Sequence, residues 1–531
     1  MPAQEKSGKI TVMVYDRGLL SALEGTLNNN RWTEWIRENA PVDQIDWIPI
    51  PRAEVAERIN IMFASGSAPD IISNFDSLLT AIQTGHALEL TEEMLNKVPH
   101  YKALLKAYPG LRKLVGANNG KIYSFGKIAN VSANHCLMIR KDWLDELGLS
   151  MPQTPEDILS IAHAFTYDDP DGNGIDDTYG INMTSDAQRW LSHMFGFPNP
   201  EKYAMIDGEL VYVWDRIESW LTYAEQFVDQ GLTNPDFLIR RSDDDKIDFL
   251  SGKLGIYIQS KLLTPNTGYV LYSDFIEANP HAAVETFAMP ETQYGSFTGY
   301  SGGGFSTETY INASAHDVDA CLRFINWMYD AEVSRMLEYG PEGEYYSMDE
   351  EGTYIVIDAK KNEIERNYAY DYIVVKSSHL DAADANSSYG DYTNSLFNVY
   401  LKSEDPIQQD YGSLLYEVTK VANRPGSYDP RKWLQALPAL PADLALIKST
   451  ADLMVNDILK HALADPAISA AQAVAAAKNV WQEADGLLVD EHYAAYYKAR
   501  GEDALTAQDY MALQRMPELL PKAKRNFKNG D

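Results

Sequence analysis

Residues 168–177, DDPDGNGIDD, place five carboxylates and one Asn within ten positions, with two Gly among them. Like charges this close repel unless a cation sits among them. Counting from Asp169 as position 1, side-chain oxygens fall at positions 1 (Asp169), 3 (Asp171), 5 (Asn173) and 9 (Asp177). Gly174 at position 6 supplies a sharp turn, and Ile175 at position 7 offers its backbone carbonyl. This is the first part of an EF-hand type calcium loop, which gathers about 6–8 hard oxygens around one ion. The pattern breaks at position 12, where Gly180 replaces the bidentate Glu, so the shell must be completed differently. The competing reading is a solvated acidic turn, since Asp, Asn and Gly are ordinary turn residues. Sensors pair such loops and expose a Met-rich groove. Only one loop is found here, which predicts a structural calcium that staples one part of the chain.

The elements that must carry this loop follow from periodicity. KITVMVY (9–15) is a nearly continuous apolar strand, the kind buried on both faces of a parallel sheet. IDWIPI (45–50) is a second strand. Val55, Ile59, Met62 and Phe63 then recur on one helical face, Gly66 ends that helix, and a third strand starts at Asp70. The alternation predicts an α/β lobe. A second α/β unit spans about 136–300: a strand running into a helix at 135–149, a helix capped by Thr154 with Pro155 and Asp157, helices near 216–231 and 243–251, and strands at 253–260 and 284–291. A helix at about 316–338 carries an apolar stripe with Cys321 on it, and the chain beyond 366 reads as chiefly helical. The Ala-rich 469–484 is its strongest helix former.

At 531 residues the chain exceeds what one core can organise, so two or more lobes are expected. A net charge of -32 argues against nucleic acid as partner and against an anionic membrane surface. Two distant Cys, Cys136 and Cys321, make no disulfide framework. No run of about 18 apolar residues predicts a membrane span. The opening MPAQEKSGK lacks a signal-peptide pattern and reads as a polar tether, the mature start of an exported protein whose export segment has been removed.

Several stretches, in order, resemble the extracellular solute-binding proteins of ABC importers. MFASGSAPDII, LMIRKDWLDELGLSMPQTPEDI, YDDPDGNGIDDTYGI and CLRFINWMYDAEVSRMLEYGPEGEYYSMDEEGTY carry the likeness, which runs from about residue 9 to 354. The resemblance implies a two-lobed, periplasmic-binding-protein-like α/β fold with hinge crossovers and a helical C-terminal region. It divides the chain into 1–135 (first lobe), 136–300 (second lobe, with loop 169–177), 301–365 (return to the first lobe) and 366–531 (mainly helical, largely second lobe). It further implies capture of an oligosaccharide in a cleft between the lobes and delivery to the transmembrane subunits of a permease. The protein would be a non-catalytic monomer, extracellular and lipid-anchored at the cell surface, or periplasmic.

A sugar site needs aromatic platforms and hydrogen-bonding groups, delivered by loops at the carboxyl ends of strands. That rule selects Tyr15, Asp16 and Arg17 after the first strand, and Asn74 and Asp76 after the third. In the second lobe it selects Gln259, with Trp190 as the stacking platform; near the crossover it selects Tyr300, Ser301 and Gly303. Each has a structural alternative: Asp16 as a turn cap, Tyr15 as core, Trp190 packed beneath the acid loop, the Gly run as a turn. Arg17 would favour an acidic sugar if its guanidinium faces the ligand; neutral and acidic glycans both stay open. The rival functions are a secreted glycoside hydrolase, which needs a carboxylate pair, and a calcium-dependent adhesion protein, which predicts repeated loops.

Overall fold

A computed structural model describes residues 6–73, 75–117, 120–133, 136–206, 209–259, 267–299, 301–348, 354–376, 400–401, 403–432, 437–438 and 440–512. The chain forms two compact units, Met1–Asn130 with Gly303–Ser395, and Val131–Gly302 with Leu396–Asp531. Two of the boundaries fall inside the strands Phe125–Ala133 and Ser301–Ile311.

In the first unit the strand Lys9–Asp16 pairs in parallel with Gln44–Pro51 along its whole length. The sheet continues through Ile71–Ser73, Ser301–Ile311 and Phe125–Ala133. Ser301–Ile311 runs antiparallel to Ile71–Ser73, so the sheet is mixed. Ile10, Val12, Met13 and Val14 have no solvent exposure, as a strand covered on both faces requires. The helix Val55–Ser65 sends Val55 and Ile59 into a core with Met13, Ile50 and Ile72. Gly66 ends it at φ 69, in the left-handed region. Asp70 is buried just before the third strand. Burial opposes its ionisation, but hydrogen bonds from His316 and Thr11 outweigh it and hold the carboxyl below its usual range.

Two expectations are corrected here. The helix expected over 316–338 is two helices, Val318–Met328 and Ala331–Tyr339, because the Asp330 carboxylate accepts from the amides of Glu332 and Val333 and starts a new helix. The first unit also runs past residue 365. The 3₁₀ helix Asn367–Tyr372 is tied to it: the Tyr372 hydroxyl donates to the Leu27 carbonyl (2.7 Å) and accepts from Asn30 (2.8 Å), and its ring meets Trp47 edge-on at 5.1 Å.

The second unit is built on the sheet Val284–Phe287, Cys136–Arg140, Leu254–Gln259, Tyr179–Ile181. Trp143, Phe165, Ile181 and Ile256 fill its core. The helices Ala442–Ala464, Ala470–Glu483 and Gly486–Arg500 add Val455, Leu459, Trp481 and Tyr493 to the same core. The helix Pro155–Tyr167, which delivers the chain into the acid loop, starts at a capping box of Thr154 and Asp157.

Candidate functional site

A recess in the first unit opens at the carboxyl ends of its strands, where open α/β sheets bind ligands. Tyr15 and Arg17 from the end of Lys9–Asp16, Ser73 from the end of Ile71–Ser73, and Lys127 line one part. Tyr370, Asp371 and Lys376 line the rest. Arg17 organises the wall. Its Nη1 donates to Asp371 Oδ1 at 2.6 Å and to the Tyr15 carbonyl at 3.3 Å, and its backbone amide donates to Asp371 Oδ2 at 3.3 Å. The guanidinium lies 4.6 Å from the Tyr15 ring and 4.7 Å from the Tyr370 ring, within cation–π range of both. The Asp371 side chain has no exposure while Arg17 keeps 27%. Burial pushes the Asp371 carboxyl up, against the pull of Arg17.

Of the residues expected at a ligand, the structure brings Tyr15 and Arg17 together. Asp16 does not line the recess; its Oδ1 accepts from the Gly18 amide at 2.8 Å and closes the turn. Asn74 and Tyr300 lie outside the described residues, as do the side chains of Asp76, Gln259 and Ser301. Gly303 sits within the strand Ser301–Ile311, so the glycine run is extended chain rather than a turn. Tyr370, Asp371, Lys127 and Lys376 were not anticipated. The signal available was NYAYDY (367–372), in which three Tyr alternate with Ala and Asp.

Trp190, expected as the platform of the second lobe, is instead 3% exposed and belongs to the core. It is the sixth residue of the helix Ser185–His193, and its ring meets His193 edge-on at 4.9 Å. Arg431 lies over its ring at 5.8 Å. Arg431 pairs with the buried Asp429 at 3.0 Å, and Asp429 stands 3.8 Å from His193 Nδ1. Burial pushes the His193 imidazole down to about 4. Tyr257, Trp143, Phe324 and Trp327 are core as well.

The acid loop folds on itself. Asp169 adopts φ 48 and its carboxylate accepts from the amides of Asn173 and Gly174. Asn173 Nδ2 donates to Asp171 Oδ2 at 2.8 Å and to Asp177 Oδ1 at 3.4 Å, so a positive amide end lies between two carboxylates. Its Oδ1 accepts from the Ile175 amide, and the Ile175 carbonyl accepts from Asp177. Lys253 pairs with Asp177 at 2.7 Å. Among the described residues no group of three or more His, Cys, Asp or Glu is arranged to hold a metal ion. The donor chemistry still suits a hard cation: Asp171, Asn173 and Asp177 already converge, and rotating the Asn173 amide would add an oxygen to the two carboxylates. The absent Glu at position 12 has a steric cause. A Cβ on Gly180 would lie 2.1 Å from the Ala162 carbonyl oxygen, so no side chain fits there.

A family described as bacterial extracellular solute-binding protein matches residues 38–339. The polygalacturonan/rhamnogalacturonan-binding protein YtcQ of Bacillus subtilis is 25% identical over 335 residues, covering 59% of this chain and 62% of YtcQ, less than two thirds of that protein's length. An extracellular solute-binding protein of Bifidobacterium longum subsp. infantis shares the fold with TM-score 0.69 at 18% identity, over 93% of this chain and 98% of that one. An EF-hand mutant of the Streptococcus pneumoniae substrate-binding protein FusA, solved with fructo-nystose, matches with TM-score 0.60 at 18% identity, over 93% of this chain and all of that one.

Proposed function

The chain belongs to the bacterial extracellular solute-binding protein family, and from that premise we propose that it captures an oligosaccharide outside the cell and delivers it to the permease of an ABC importer. The observation that carries this reading is the stack of Tyr15, Arg17 and Tyr370 at the carboxyl ends of the first unit's strands. Flat rings suit the C–H faces of sugars, and the polar groups between them suit the hydroxyl fringe. Asn74, Asp76, Gln259, Tyr300, Ser301 and Gly303 remain proposed contacts, and Trp190 leaves that set. The protein acts as a monomer, tethered or secreted, and binds its sugar without cleaving it.

The same reading assigns a structural calcium ion to Asp169, Asp171, Asn173, the Ile175 carbonyl and Asp177. The ion would supply the positive charge that holds these carboxylates together, and the FusA EF-hand mutant is the comparison that favours it.

Titration calorimetry against a panel of neutral and uronate oligosaccharides, followed by chromatography of the recovered sugar, tests the carrier function. A saturable isotherm with the sugar intact is expected. Shortened products would establish a hydrolase instead, and an absence of binding across the panel would overturn the proposal.

A further inference from the structure

The cations on the wall of the first-unit recess are all engaged. Arg17 is held by Asp371, Lys376 stands 3.1 Å from Glu338, and Lys127 makes an interaction of its own. A sugar carboxylate is best recognised by a guanidinium presenting two parallel donors. Arg17 is already partly committed: Nη1 is shared between Asp371 and the Tyr15 carbonyl, the buried Asp371 carboxylate neutralises its charge, and two tyrosine rings lie within 5 Å of the guanidinium. The neutralising carboxylate is hidden while the arginine is partly exposed. Asp371 therefore acts on a ligand only through Arg17.

We propose that Asp371 sets the charge specificity of this recess: by neutralising Arg17 and occupying its Nη1 it disposes the site to neutral oligosaccharides and against uronates. Asp371 is a positioning residue in this scheme. It locks Arg17 between Tyr15 and Tyr370, so the ligand meets aromatic faces rather than an available cation. Asp371→Asn keeps an acceptor for the Arg17 backbone amide while removing the charge, and the guanidinium would then be open to an anion. This inference rests on the oligosaccharide reading above.

The test compares affinities for length-matched tetramers, nystose and maltotetraose as neutral probes, tetragalacturonate and tetramannuronate as acidic ones. The wild-type protein is expected to favour a neutral probe. Asp371→Asn should move the uronate-to-neutral affinity ratio toward uronate by about tenfold, the scale of one charge-assisted hydrogen bond. The double variant Arg17→Gln/Asp371→Asn should return to the wild-type ratio, which a purely structural role for Asp371 would not produce. A wild-type preference for uronate overturns the inference, and so does a ratio unmoved by Asp371→Asn. Should that variant fail to fold, the wild-type ratio and its salt dependence still decide: uronate affinity falling steeply with salt would show an available cation. If the wild-type protein binds no probe in either class, the carrier reading has failed before any variant is made, and this inference falls with it.

Discussion

Each unit holds an arginine against an aromatic ring with a buried aspartate, yet the two arrangements are electrostatically opposite. In the first, Asp371 faces one close cation, Arg17, and burial wins, so its carboxyl is pushed up. In the second, Asp429 is equally hidden, but Arg431 and Lys432 outweigh burial and hold it down, joined by His193 when that ring is protonated. The rings differ in the same sense: Tyr370 is 40% exposed and lines a recess, whereas Trp190 is 3% exposed and packed in the core. An Arg–Asp–aromatic set thus works as a surface wall when its ring is open and its carboxylate has one partner. It works as an internal post when its ring is covered and its carboxylate is surrounded.

That contrast is broken or upheld most directly by removing the two carboxylates. Asp429→Ala leaves Arg431 and Lys432 without their buried anion and should cost about 3–5 kcal/mol in urea unfolding, the usual loss when one partner of a buried ion pair is deleted. Asp371→Ala releases a partly exposed arginine that water can solvate, and about 1–3 kcal/mol is expected. Equal losses would mean that both pairs are structural posts and that the first recess is not a dedicated wall.

The next effect is read from pH. An imidazole in the unfolded chain takes up its proton near pH 6.5, while His193 is pushed down to about 4 by burial. Between those values the unfolded chain binds more protons than the folded one, so stability falls as pH drops through this window. The loss should reach about 3 kcal/mol at the acid end. His193→Asn should flatten that part of the stability curve. A curve of unchanged slope would move the acid sensitivity to other groups and leave Asp429 less coupled to its surroundings than the geometry indicates.

Much of the fold was legible because it is written locally. The apolar run at Lys9–Asp16, the Thr154 capping box and the Gly66 helix end all depend on neighbours a few residues away. The Asp330 break was equally local and was missed because an apolar stripe continues across it; a single capping carboxylate outweighs periodicity there. The binding wall was half legible. Strand ends pointed to Tyr15 and Arg17, but Asp371, the partner of Arg17, is 354 residues away from it, and no spacing rule joins the two. Trp190 was misread because residue type gives the capacity to stack and says nothing of exposure. Gly180 shows the same limit: its departure from the loop pattern is visible in the sequence, while its cause, the Ala162 backbone, is visible only in the fold.

The acid loop is a third way of holding carboxylates. Here the partners are exposed and internal compensation is slight: the Lys253 ammonium on Asp177, and the neutral Asn173 amide donating to Asp171 and Asp177. An external ion would do what Arg431 and Lys432 do for Asp429, but reversibly. Calcium at a hundredfold over its dissociation constant should stabilise the fold by about 2.7 kcal/mol, and a chelator should remove that increment as a lowered melting temperature. Asp171→Ala should lower the melting temperature in calcium and make it insensitive to chelator, with sugar affinity little changed in protein that remains folded. The loop leads from the helix Pro155–Tyr167 toward the strand Tyr179–Ile181 of the second unit, whereas Tyr15, Arg17 and Tyr370 belong to the first. Sugar binding lost on chelation, with the melting temperature unchanged, would therefore place the ion at the ligand and remove the distinction between a bracing loop and a binding wall.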